Sequence, residues 1–317
     1  MSRAMRGRMG GGAARRSDLA DQAARGRADP GHDPLPRRPP AAPERIDAHQ
    51  HFWRLDRGDY GWLTPALGPI HRDFGPGDLW PLLDAAGVHG TILVQAAPTE
   101  AETAYLLGVA EAHDRVLGVV GWADLAAPDA PATVERLARR PKLVGLRPML
   151  QDLPDDGWML RADVARGVDA MMAAGLRFDA LVRPRHLPAL RRFRDRHPDL
   201  PLVVDHCAKP PLASGALDAW AADIARLAAE TGAPCKLSGL ATEAGAGWRP
   251  DDLRPAIDHV LAAFGPDRVM WGSDWPVLNL AGDYAGWHAV ARAAVPEADR
   301  AAVFGGTARR FYLEGGR

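Results

Sequence analysis

From Ile46 onward the chain repeats one unit eight times: a short apolar run rich in β-formers, then an amphipathic helical pattern. The runs are RIDAHQHF, TILVQAA, VLGVVGWADL, LVGLRPML, RFDALV, LPLVVDHCAKP, PCKLSGL and RVMWGSDWPV. Helical patterns such as EAETAYLLGVAEAHD and LDAWAADIARLAAETG separate them. A run that is apolar at nearly every position belongs to a strand buried on both faces. Parallel strands joined by covering helices provide that burial. Eight such units close into a (β/α)8 barrel, the TIM-barrel form of the α/β class. A doubly wound open sheet is the rival, but no glycine-rich dinucleotide turn follows the first strand. Thr99 and Asp78 are expected to cap the helices that follow them, and Gly87 to end the DLWPLLDAAG helix.

Residues 1–45 are a different material, dominated by Arg, Ala, Gly and Pro and without an aromatic residue. Such a segment cannot bury enough apolar surface to offset its ordering entropy, and it lacks the apolar core of a secretory signal. The expected organisation is a disordered extension over 1–45 and a barrel over 46–317. The formal net charge of -1 offers no electrostatic footprint for nucleic acid. No stretch is apolar for long enough to span a membrane. The two cysteines, Cys207 and Cys235, rule out a disulfide framework and suit a reducing cytoplasm. Nothing in the sequence opposes a homo-oligomer.

In a barrel of this kind the chemistry gathers where the strands end at their C-terminal side. The first strand ends with His49 and His51, spaced by two and so on one face. The fourth ends near Arg147 and the fifth near Arg183. The sixth ends with Asp205, His206 and Lys209, and the eighth with Ser273, Asp274 and Trp275. Each has a structural alternative: a satisfied polar histidine, an ordinary ion pair for Arg147 or Arg183, a turn for Ser273-Asp274, half-exposed structure for Lys209. Cys207 and His206 are adjacent along a strand and point to opposite faces, which disfavours a thiol mechanism. Trp53, Trp62 and Trp158 lie in or beside long loops, as lids over a pocket or as buried plugs.

The stretches DAHQHFWRLDRGDYGWL, GLRPMLQDLPDD, DHCAKP and WGSDWPV together resemble the lactonase branch of the amidohydrolase superfamily, which holds sugar-lactone and pyrone-dicarboxylate lactonases. The resemblance runs from about Ile46 to the C-terminus. It implies a hydrolase that opens a sugar-derived (aldono-) lactone by water attack on the ester carbonyl. Asp274 would be the general base, its basicity raised by partial burial. His49, His51 and His206 would orient water and polarise the carbonyl, and Arg147, Arg183, Trp53, Trp62 and Lys209 would hold the substrate. The superfamily also places a bridging Lys or Glu after the fourth strand and a His after the fifth. Here the fourth strand offers Arg147, and His186 lies beyond the fifth. These departures imply at most a single zinc or manganese ion on His49, His51 and Asp274, with none required. Sugar-lactone members commonly carry Arg-His where this chain reads Arg147-Pro148, so the resemblance does not fix which aldonolactone is opened. The rival implications are a metal-dependent decarboxylase of the same superfamily and a non-catalytic sugar-acid binding barrel.

Overall fold

The computed structural model describes residues 44–314. The extension expected over 1–45 therefore lies, except for its last two residues, outside the described residues. Those two join the barrel: Glu44 pairs with Arg309, and the Arg45 amide donates to His89 Nδ1 at 3.0 Å.

Eight parallel strands stand in chain order: β1 Ile46–Gln50, β2 Gly90–Val94, β3 Val116–Gly121, β4 Leu143–Leu146, β5 Arg177–Ala180, β6 Leu202–Val204, β7 Cys235–Leu237 and β8 Val269–Trp271. The ends of the sheet meet through a parallel bridge between Gln50 and Trp275. Backbone bonds from His51 N to Trp275 O and from Asp274 N to His49 O, both 2.8 Å, reinforce the seam. The main helices are α1 Pro76–Ala86, α2 Glu100–Ala112, α3 Ala130–Ala138, α4 Ala162–Ala173, α5 Leu187–Arg196, α6 Asp218–Thr231, α7 Leu240–Ala244, α8 Pro250–Phe264 and α9 Tyr284–Ala294. No helix among the described residues is long and apolar enough to cross a membrane.

Every expected strand forms where the apolar runs lie. Thr99 caps α2 by accepting from Glu102 N at 3.0 Å. Gly75, not Asp78, is the residue that caps α1. Asp78 sits one turn inside and accepts from Gly75 N at 3.1 Å, because the Pro76-Gly77 step starts the helix three residues earlier.

Side chains sort into two cores. Ile46, Ala48, Ile92, Val94, Val120, Val144, Val203 and Met270 fill the barrel, while a larger cluster packs between sheet and helices. The C-terminal residues close the barrel's N-terminal end, where buried Tyr312 joins the interior cluster and its hydroxyl donates to Asp179 Oδ2 at 2.7 Å.

The long loop after β1 folds back over the mouth. It is held by a Trp53–Phe74 bridge, by Trp62 Nε1 donating to Ala96 O at 2.7 Å, and by Tyr60 OH donating to Glu102 Oε2 at 2.6 Å. Burial pushes the Glu102 carboxyl up from 4.5 to about 7, although Tyr60, the Ala96 amide and Arg57 oppose the rise. A carboxyl whose folded value is raised stabilises the fold most below its unfolded value and loses that contribution as pH rises through the folded one. The unfolding free energy of the wild type is therefore expected to fall between pH 5 and pH 8 relative to that of Glu102→Gln. The difference has an upper bound of about 3 kcal/mol. Denaturant titrations of both proteins across that range measure it, and parallel pH curves would remove Glu102 as the cause.

Candidate active site

Strict alternation along β1 would carry His49 away from the barrel interior that Ile46 and Ala48 help to fill. Instead the register with β2 shifts between Asp47 and Gln50, a bulge that changes which residues face the axis. Asp47 anchors the bulge. Its Oδ1 accepts from His49 N at 3.1 Å and Ser273 N at 2.9 Å, and its Oδ2 from Tyr284 OH at 3.1 Å. His51 then lines the cavity and fully buried His49 packs against it from below, with ring centroids 4.9 Å apart.

Two strained turns supply the opposing wall. Asp274 has φ +58, and four consecutive residues, His206 to Lys209, have φ between +52 and +57. Left-handed backbone costs roughly 1–2 kcal/mol per non-glycine residue, so packing must hold it. Trp220 Nε1 donates to Cys207 O at 2.8 Å, and Cys207 Sγ lies 3.3 Å from Lys236 O. The turn puts His206 and Lys209 on the cavity together. Gly239 makes room for the ring of His206: a Cβ there would stand 2.8 Å from His206 Cγ.

Asp274 Oδ1 lies 3.3 Å from His51 Nε2 and 3.8 Å from both His49 Nε2 and His206 Nε2. His51 Nδ1 is 2.8 Å from Val94 O, which can only accept, so Nδ1 carries a proton. Its Nε2 lone pair then meets a carboxylate oxygen, and that contact is favourable only with a shared proton or cation between them. Burial, reinforced by Lys236 and neighbouring cations, lowers His49 well below its ordinary range; burial also lowers His206, against the pull of Asp274. Both are neutral imidazoles at neutral pH. Burial of Asp274 acts to raise its carboxyl, but His206, the His51 hydrogen bond and Lys209 outweigh it and the net shift is downward. This corrects the expectation that burial would make Asp274 more basic.

Beneath the histidines sits a fully buried ammonium that the motifs do not announce. Lys236 Nζ donates to Asp179 Oδ2 at 2.5 Å, lies 3.1 Å from Asp205 Oδ1, and reaches His49 Nδ1 at 3.1 Å. Arg147 stands above it, bonded to Gln95 O, with Nη1 3.4 Å from His49 Nε2 and 3.5 Å from Asp205 Oδ2. Lys236 and Asp179 had a readable signal. Each is a lone charged residue between apolar neighbours of a short strand, in CKL and FDA, and a charge placed in a strand buried on both faces must pair.

The cavity holds about 290 Å³ and is lined by His51, His206, Asp274, Arg147, Lys209 and Trp62, with Met149, Gln151 and Asp152 at its side. Two expected contacts do not reach it. Trp53 is fully buried behind Trp62, ring centroids 5.6 Å apart and perpendicular, because its backbone pairs with Phe74. Arg183 lies beyond β5 at the start of a 3-10 turn, where its amide donates to His186 Nδ1 at 3.0 Å. His186 stays out of the cluster, beside Asp156.

The amidohydrolase family model matches residues 46–313. The chain belongs to the amidohydrolase family. It is 52% identical to the L-fucono-1,5-lactonase of Burkholderia ambifaria, over 84% of this chain and 95% of that one. It is 43% identical to the L-fucono-1,5-lactonase of Burkholderia multivorans, with the same coverage. A crystal structure of an amidohydrolase from Burkholderia multivorans with bound zinc superposes with a TM-score of 0.79 at 43% identity, covering 85% of this chain and 99% of that one.

The donor set of this amidohydrolase fits one small divalent ion. His49, His51 and Asp274 each offer a ligand atom within 4.8 Å of the others, and the His51–Asp274 contact calls for a positive charge. Lys236 Nζ, which can only donate, stands 3.1 Å from His49 Nδ1, so the proton of neutral His49 sits on Nε2 and would have to leave for that nitrogen to bind an ion. Imidazole and carboxylate donors suit zinc or manganese.

Replacing Lys236 by Met should destabilise the barrel by about 3–5 kcal/mol, because it leaves Asp179 and Asp205 buried beside an apolar chain. Denaturant unfolding measures this, and a loss below about 1 kcal/mol would mean that the buried charges are satisfied without the ammonium.

Proposed function

We propose that this amidohydrolase hydrolyses sugar-derived lactones at the cavity between His51, His206 and Asp274. The reading is carried by a carboxylate that three imidazoles face within 3.3–3.8 Å, roofed by Arg147 and Trp62. The naming of two relatives, at 52% and 43% identity, as L-fucono-1,5-lactonases supports it.

A lactone is a cyclic ester. Its hydrolysis needs an oriented water, charge stabilisation at the carbonyl oxygen and a proton for the departing ring oxygen. Asp274, ionised because its carboxyl is held low, accepts the proton of the attacking water. The same low value makes its protonated form a strong acid, suited to returning that proton to the ring alkoxide. His51, anchored on Val94 O, and neutral His206, bonded to Ser238 Oγ at 2.9 Å, fix the water. Arg147 is the nearest guanidinium to the carbonyl oxygen as negative charge develops there. A donor of this kind is worth roughly 3–4 kcal/mol. Lys209, paired with Glu243 at 3.1 Å, and the indole of Trp62 bind sugar hydroxyls and ring faces. A zinc or manganese ion held by His49, His51 and Asp274 would add Lewis-acid polarisation of the carbonyl. The two free, buried thiols, Cys207 and Cys235, support a cytoplasmic setting.

Asp274→Asn should lower kcat by about 10²- to 10⁴-fold on a panel of aldonolactones followed with a pH indicator. Near-parental turnover in a folded variant would take Asp274 out of the base role. Exhaustive chelation checked by elemental analysis should leave turnover in place, since Arg147 and Lys209 already bring positive charge to the cavity. Loss of activity restored by added zinc would make the ion a requirement.

A further inference from the structure

A second cleft of about 530 Å³ opens beside the catalytic cavity and shares Trp62, Met149 and Asp152 with it. Nothing in the hydrolysis of a single lactone ring uses it. Its distinctive side chains come from loops at the C-terminal ends of four strands: Trp62 after β1, Pro98 after β2, Trp122 after β3, and Trp158 after β4. Three indoles therefore converge on one space next to the reacting centre.

The charges around that space narrow what can occupy it. Asp59, Asp124 and Asp152 line it, and no Lys, Arg or His is among the described residues that do. A phosphate, sulfate or carboxylate would meet only like charge there. A purely hydrocarbon group would desolvate carboxylates without pairing them. A ring with apolar C–H faces and hydroxyls at its edge satisfies both features: indole faces cover its C–H surface, and carboxylate oxygens accept from its hydroxyls. Asp59 is paired with Arg57, and Asp124 Oδ1 accepts from Ala126 N at 3.0 Å, so both acceptors are held in place.

Trp62 couples the two spaces. Its indole N–H is committed to Ala96 O at 2.7 Å, and Trp53 abuts it edge-on at 5.6 Å. A ring fixed in this way loses little entropy on binding. It forms one wall of both the catalytic cavity and the cleft, at the point where a substituent on the lactone would pass from one to the other. Trp53, which does not reach the cavity, becomes the support that sets the angle of Trp62.

We propose that this cleft is a second sugar subsite, and that the substrates include aldonolactones carrying a glycosyl substituent. The inference rests on the lactonase reading and specifies its substrate class. The lactone ring lies at Asp274 and the glycosyl ring lies among Trp62, Trp122 and Trp158. The reaction is unchanged. Water adds to the acyl carbon, the ring ester C–O bond breaks, the ring oxygen takes the proton, and the glycosidic bond stays intact in the aldobionic acid product.

The test compares aldobionolactones of several ring stereochemistries with the aldonolactone that each contains, using the full chain. For at least one pair, kcat/KM should be about tenfold or more higher on the glycosylated lactone. Trp158→Ala and Trp122→Ala should each remove about tenfold of that advantage and leave the unsubstituted lactone unchanged, which also reports that the variant folds. Equal kcat/KM within every pair, or equal losses on both members, overturns the subsite. If no lactone is turned over, the lactonase reading fails by itself, and calorimetry decides the subsite separately. Tighter binding of aldobionic than aldonic acid, lost in Trp158→Ala, supports it, and equal affinity overturns it.

Discussion

The ammonium of Lys236, bonded among Asp179, Asp205 and His49 on the barrel axis, is the contact on which both halves of the molecule depend. A charge this deep survives only if its partners are held, because desolvation of an unpaired ion costs several kcal/mol. Below it, Tyr312 also donates to Asp179 Oδ2 and closes the barrel's N-terminal end. Above it, His49 and Asp205 pass the arrangement to Arg147 and to the histidine cluster. Burial pushes Asp179 up to about 6, whereas for Asp205 the surrounding cations outweigh burial and hold it low.

On that foundation the reacting groups sit on backbone that would not adopt its shape alone. Asp274 and the turn from His206 to Lys209 are left-handed, and the indole of Trp220 and the main chain of β7 hold the turn in place. The return is geometric. An extended strand would send His206 and Lys209 apart, while a left-handed turn sends both toward Asp274. Gly239 and Gly272 provide the clearance, since a Cβ at Gly272 would stand 2.7 Å from His49 Cβ.

The mouth divides into two environments of opposite character. One has guanidinium, ammonium and imidazole around an ionised carboxylate, suited to an ester carbonyl that becomes anionic. The other has indoles and carboxylates, suited to a neutral hydroxylated ring. Trp62 separates them, and the loop that carries it is tethered through Tyr60 and Glu102 to α2.

Most of this was legible before any coordinates. The period of apolar runs gives eight parallel strands covered by helices, and the lack of a glycine-rich turn after the first strand favours the closed barrel over an open sheet. The strand-end rule finds His49, His51, Arg147, His206, Lys209 and Asp274, because a residue's place along a strand sets its height at the mouth. That rule ends where the strand does. Trp53 turns inward because its backbone pairs with Phe74, and Arg183 leaves the mouth because a 3-10 turn begins there. The β1 bulge, the left-handed turn, the lowered carboxyl of Asp274 and the buried Lys236 cluster were decided only in three dimensions. Each depends on groups more than 25 residues apart in sequence brought within a few ångströms, where burial and charge set the balance. The sequence by itself determined the architecture and most of the polar residues that gather at the mouth, and the tertiary structure decided how burial and neighbouring charge shift them, where they point and the second cleft beside them.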